Sequence, residues 1–144
     1  MSKTYDPPMH TAEHILNQTM IQKFDCGRDF RAHIEKRKSK CDYHFNSNIT
    51  QEDITEVEEK VNEIIDADLT VNESLITKDE AEKLYNTEKL PNDAGEKIRI
   101  VKIGDYDKCP CIGPHVQSTG EIGRFKIISN DFNEGVLRIR FKLI

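Results

Sequence analysis

Two histidines stand four residues apart in His10-Thr-Ala-Glu-His14, near the start of a 144-residue chain. On an α-helix that spacing puts both imidazoles on one face, ~6 Å apart along the axis. About a hundred residues later, Cys111-Ile-Gly-Pro-His115 offers a thiol and a third imidazole, again four apart. His10, His14, Cys111 and His115 together form an ordinary zinc ligand set. Zinc lowers the pKa of a bound water towards ~7 and polarises carbonyls, so hydrolysis is within reach. Four protein ligands close a tetrahedral site, however, which is the structural pattern. Catalysis then requires one ligand to loosen or the metal to accept a fifth. A metal-free route is also open, with His10 or His14 as general base through a water. Each half alone is weak, since a histidine pair at i, i+4 is more often a surface pair. The metalloprotease pattern fails, because it needs Glu directly after the first His; Thr11 follows His10 here, and Glu13 precedes His14.

These side chains need elements to position them. Asp6-Pro7-Pro8 suits a helix start, with Asp6 as cap. A helix is expected from about Pro8 to Lys23, its core stripe being Met9, Ala12, Leu16, Met20 and Phe24, with one edge open to a cleft. Gly27 is the expected left-handed cap. Alternation around Ala32 and Tyr43 predicts a hairpin that turns at residues 37–40. Thr50-Gln-Glu-Asp53 resembles a capping box and opens a helix to about Asp66. A strand is expected over 69–76, then a second capping box at Thr77 with a short helix to Tyr85, and a loop over 87–95. A strand follows around Ile98 to Ile103. Residues 105–108 read as a turn, and 109–114 as a loop stiffened by two prolines. Two closing strands are expected, around Phe125 to Ile128 and over 136–144, with a hairpin loop at 130–135 between them. The fold class is α+β, helices packed on a mainly antiparallel β-sheet.

Composition bounds the rest. The chain fits one domain, residues 1–144, with 36% hydrophobic and 33% charged residues. No apolar run approaches a membrane span and the first residues lack a signal-peptide core, so a cytoplasmic protein with no membrane partner is expected. Without a secretion signal the four cysteines do not read as a disulfide framework. Cys26 and Cys41 read as small hydrophobes; Cys109 is an alternative ligand beside Cys111. The net charge of −5 argues against a nucleic-acid partner, but its distribution weakens the objection. Residues 1–47 carry eight basic and six acidic side chains, 48–97 five and fifteen, 98–144 eight and five. The acidity thus sits in the middle, and both motif-bearing ends are mildly basic.

Just after His115 comes Thr119-Gly-Glu-Ile-Gly123. His-x-x-x-His, Cys-x-x-x-His and Thr-Gly-Glu-Ile-Gly in that order resemble the editing domain shared by alanyl- and threonyl-tRNA synthetases, whose free-standing relatives are alanyl-tRNA editing proteins. The resemblance covers essentially the whole chain and leaves no room for aminoacylation or anticodon-binding domains. It implies a trans-editing hydrolase with zinc as cofactor, acting on the tRNA acceptor end that carries a wrong amino acid. Threonyl-type relatives imply that the same motif need not hold zinc. Gly113-Pro114-His115-Val116 looks more threonyl-type, Thr119 to Gly123 more alanyl-type. The expected substrates are Ser-tRNA(Ala) and Gly-tRNA(Ala), with Ser-tRNA(Thr) the alternative. Gln18, Gly113, Thr119 and Glu121 are candidate substrate-lining residues, although Thr119 to Gly123 reads equally well as a turn that holds the loop. A non-catalytic zinc-stabilised tRNA-binding module and a hydrolase of other small esters are the readings from other classes.

Overall fold

The computed structural model describes residues 6–84 and 97–144. The loop expected over 87–95 lies outside them. The described residues form three helices and seven strands in two antiparallel sheets, an α+β fold.

Helix α1 (Pro7–Phe24) starts as its sequence dictates. The Asp6 carboxylate accepts from the Met9 amide, and prolines occupy the first two positions, where no intrahelical amide is needed. It ends differently from expectation. Asp25, not Gly27, is the C-cap, with φ 54° and its amide bonded to the Ile21 carbonyl at 2.8 Å. Aspartate tolerates the left-handed region better than most side chains, so the helix stops two residues earlier than glycine alone would suggest.

Strands β1 (Arg31–His33) and β2 (Ser39–His44) form the expected hairpin, but it turns over residues 34–38 rather than 37–40, because Ser39 and Lys40 are already paired in the sheet. Helix α2 (Gln51–Asp66) is capped by Thr50, whose hydroxyl accepts from the Asp53 amide, and buries Ile54, Val57, Val61, Ile64 and Ile65. Strand β3 (Val71–Thr77) leads into α3 (Lys78–Leu84), where Thr77 Oγ1 accepts from the Glu80 amide. Strand β4 (Lys97–Ile103) pairs with β3 and with β5 (Asp107–Pro110). The last hairpin is β6 (Phe125–Asn133) and β7 (Val136–Leu143).

Two expectations are corrected here. Residues 107–110 are strand rather than turn and loop. β5 is an edge strand in the order β3-β4-β5, where proline loses no required ladder bond. β6 runs through 130–133, and the hairpin closes on Glu134 and Gly135 alone, at φ 47° and 81°. Two successive positive φ values are the tight-turn geometry that matches strand twist.

The four-stranded sheet has the order β1-β2-β7-β6. α1 bonds to it through Asn17, whose Oδ1 accepts from the Tyr43 hydroxyl of β2 at 2.7 Å. Its other side faces β5 of the second sheet. Residues 9–17 are therefore all buried, histidines included, and the open edge expected for this helix is covered. One apolar core joins α1 and α2 to Cys41, Tyr43, Leu137, Ile139 and Phe141 of the larger sheet. Cys41 is fully buried and Cys26 half-buried, and none of the four cysteines is in a disulfide. No helix among the described residues is long and apolar enough to cross a membrane.

Candidate metal centre

Two periodicities meet where α1 passes β5. Along the helix, four residues advance ~6 Å; along a strand, two residues advance nearly the same distance. His10 and His14 thus lie in step with the buried row Asp107, Cys109, Cys111 of β5 and its continuation. Beyond Cys111 the chain turns at Gly113, where φ is 109°, and brings His115 back over the helix.

The four expected ligands converge. Cys111 Sγ lies 3.2 Å from His10 Nε2 and 3.4 Å from His115 Nε2. One donor atom from each of His10, His14, Cys111 and His115 falls within 4.8 Å of all the others. Tetrahedral zinc, with bonds of about 2.0–2.1 Å to nitrogen and 2.3 Å to sulfur, spaces those atoms roughly 3.5 Å apart. The donor set and its spacing therefore fit zinc.

The outer nitrogens decide the tautomers. His10 Nδ1 donates to the Pro114 carbonyl at 3.0 Å. Thr11 gives its hydroxyl proton to the Pro7 carbonyl, so its oxygen accepts from His115 Nδ1 at 2.9 Å, and from the Val116 amide. His14 Nδ1 lies 3.5 Å from Asp107 Oδ2 and 3.3 Å from Cys109 Sγ. His10 and His115 thus keep their Nε2 lone pairs for the centre.

Burial sets the charge states. It lowers the His10 pKa to about 4, helped by neighbouring His14. His14 and His115 are lowered too, by burial first, and His115 further by the other two rings. Neutral imidazoles, the ligand form, are the resting state at neutral pH. Burial pushes the Cys111 thiol up to about 12, and a bound cation would deprotonate it. The Glu13 carboxylate, 3.9 Å from His10 Nε2, adds negative charge beside the centre.

A second shell holds the loop. Arg99 donates from Nε to the Cys111 carbonyl at 3.1 Å and from Nη2 to the Gly113 carbonyl, while Nη1 pairs with Glu73. Sequence reasoning missed Arg99, Arg28 and Asp107. Only the alternation of Asp107 and Cys109 with Cys111 hinted at the last.

The proposed substrate-lining residues are scattered. Gln18 is half-buried on α1, one turn past His14. Gly113 forms the turn itself. Thr119 is fully buried, its hydroxyl donating to the Ile64 carbonyl and accepting from the Leu69 amide, both at 2.8 Å. Glu121 accepts from the Gln117 and Ser118 amides. Both therefore hold backbone.

Residues 98–140 match the sequence model of the Threonyl and Alanyl tRNA synthetase second additional domain. An alanine–tRNA ligase of Methanopyrus kandleri is 34% identical over 136 residues, 92% of this chain. Those of Fervidobacterium nodosum and Neisseria meningitidis serogroup B are each 33% identical over 90% of it. The chain spans 15% of the length of each of these relatives. With its motifs, its α+β architecture and this alignment, the chain belongs to the family of the second additional, editing domain of threonyl- and alanyl-tRNA synthetases.

Proposed function

We propose that this chain hydrolyses the ester of mischarged tRNA, removing serine from Ser-tRNA(Ala) and glycine from Gly-tRNA(Ala). The observation that carries the reading is the convergence of His10, His14, Cys111 and His115 in a chain whose alignment with alanine–tRNA ligases covers nine-tenths of its length. That alignment favours the alanyl over the threonyl substrate. The same four side chains are the catalytic residues of the proposal and its metal ligands.

The site's own residues do three things. Three neutral imidazoles and one thiol offer a zinc site, with His10, His14 and Cys111 buried and His115 half-buried. Zinc, when bound, supplies an acidified water and a polarised carbonyl. Arg99 fixes the carbonyls of residues 111 and 113, which sets where His115 sits. In metal-free protein a ring nitrogen is the base. Water adds to the ester carbonyl as His10 or His14 Nε2 takes its proton; the carbonyl–ribose oxygen bond then breaks and the ribose oxygen takes that proton back from the imidazolium. The products are the amino acid and free tRNA. Gln18, Gly113, Thr119 and Glu121 are proposed to shape the amino-acid side, the last two through the loop they hold. The partner is the acceptor end, bound weakly and in a salt-dependent way by the mildly basic termini, in the cytoplasm.

The test of tRNA identity is parallel deacylation of Ser-tRNA(Ala) and Ser-tRNA(Thr). Release from the first alone supports the proposal. Release from the second alone would move the chain to threonyl-type editing, and release from neither would favour a non-catalytic module.

A further inference from the structure

The three histidines of the centre are not held alike. His10 and His115 give Nδ1 to neutral oxygens, the Pro114 carbonyl and the Thr11 hydroxyl. His14 turns its Nδ1 towards a carboxylate, Asp107, whose side chain is 2% exposed. That carboxylate is itself fixed. Arg28 Nη1 donates to Oδ1 and Nη2 to Oδ2, both at 2.9 Å, a two-pronged pair that fixes the carboxylate plane. Cys109 completes the group. Its sulfur lies 3.3 Å from His14 Nδ1, and its S–H donates to Asp107 Oδ2 at 4.0 Å.

We propose that Asp107, anchored by Arg28 and flanked by Cys109, is the positioning residue of His14, holding its ring in the Nδ1–H tautomer so that Nε2 faces the other three donors. The inference deepens the metal-centre reading and rests on it for what the oriented ring does.

A bare tether between Arg28 and β5 would need no third partner. Here Oδ2 is shared by Arg28 Nη2, His14 and Cys109. Charge points the same way. Asp107 meets the Arg28 guanidinium through two hydrogen bonds of 2.9 Å, one to each carboxylate oxygen. The group is thus an anion whose positive partner, Arg28, is already supplied. The brace adds no net charge to the centre. The strand period supplies the rest, since Asp107, Cys109 and Cys111 share one buried face of β5 and its continuation, with the brace at one end and the ligand at the other.

The experiment reads the His14 ring by nitrogen NMR in metal-free protein, then zinc affinity by competition with a chelator and the visible spectrum with cobalt(II) as probe. Wild type is expected to show Nδ1–H at His14. Asp107→Ala should give mixed tautomers, a 10- to 100-fold loss of zinc affinity and an altered cobalt spectrum. Asp107→Asn, whose amide oxygen still accepts, should recover most of each. A folded Asp107→Ala with wild-type tautomer and zinc affinity overturns the proposal. If wild type takes up no zinc but the tautomer depends on Asp107, the metal reading fails and the positioning role stands. Should Asp107→Ala not fold, Arg28→Gln decides. Weakened zinc binding supports the brace, and wild-type values overturn it.

Discussion

Replacing Thr119 by valine removes one hydroxyl and keeps the side chain's shape. In the structure that hydroxyl splices two segments. It donates to the Ile64 carbonyl at 2.8 Å, near the end of α2, and accepts from the Leu69 amide at 2.8 Å. The side chain is fully buried, so valine leaves a buried carbonyl and a part-buried amide without this partner. Each such group costs ~1–3 kcal/mol. Exposed Asp66 and Asp68 flank this end of α2, so water can reach part of the way. The low half of the range therefore applies, and the sum is about 2–4 kcal/mol. For a chain of this size that lowers Tm by roughly 4–16 °C. Urea unfolding followed by circular dichroism measures it, with Thr119→Ser expected to restore most of the loss. Zinc affinity of the folded variant should stay unchanged. A loss below ~0.5 kcal/mol together with abolished serine release would refute the reasoning, because Thr119 would then face substrate rather than backbone.

Three further predictions follow from other parts of the fold. The Arg138 hydrogen bonds hold the Asp42 carboxyl below its ordinary value, with Arg31 adding to them, although burial opposes the shift. A lowered folded pKa stabilises above the unfolded value near 3.9 and ceases to do so as pH falls through the folded one. The stability gap between wild type and Asp42→Asn should therefore be constant from pH 7 to 5 and shrink below about pH 4 in urea titrations. Gly135→Ala should cost about 1 kcal/mol in the same assay, from backbone strain alone; φ there is 81° and an added Cβ would meet only the Phe45 carbonyl, at 3.8 Å. Zinc at a hundredfold excess over its dissociation constant should add ~2.7 kcal/mol to metal-stripped protein, and in thermal melts Cys111→Ala should abolish that gain.

The site was more legible in the sequence than the sheets were. His10, His14, Cys111 and His115 declare themselves by residue type and by two four-residue spacings, and the helix and the Gly-Pro turn that carry them have plain local signals. Arg28 carries none, and Asp107 only its alternation with Cys109 and Cys111. They are 79 positions apart, and charged residues in polar loops are ordinary until the fold brings them together. The split into two sheets was hidden because strand pairing depends on long-range contacts, and Pro110 disguised β5 until its edge position was known. Residues 130–133 read as loop for a related reason. Asn130, Asp131 and Asn133 are polar, and they lie in a strand whose alternation is broken by the bulge between Ile127 and Ser129.

The most direct measurement is serine release from Ser-tRNA(Ala) beside alanine release from Ala-tRNA(Ala), with wild-type protein and with folded Cys111→Ala. The account predicts rapid loss of serine, alanine left at its spontaneous rate, and no acceleration by the variant. Equal hydrolysis of both esters, or serine release that survives Cys111→Ala unchanged, would contradict it.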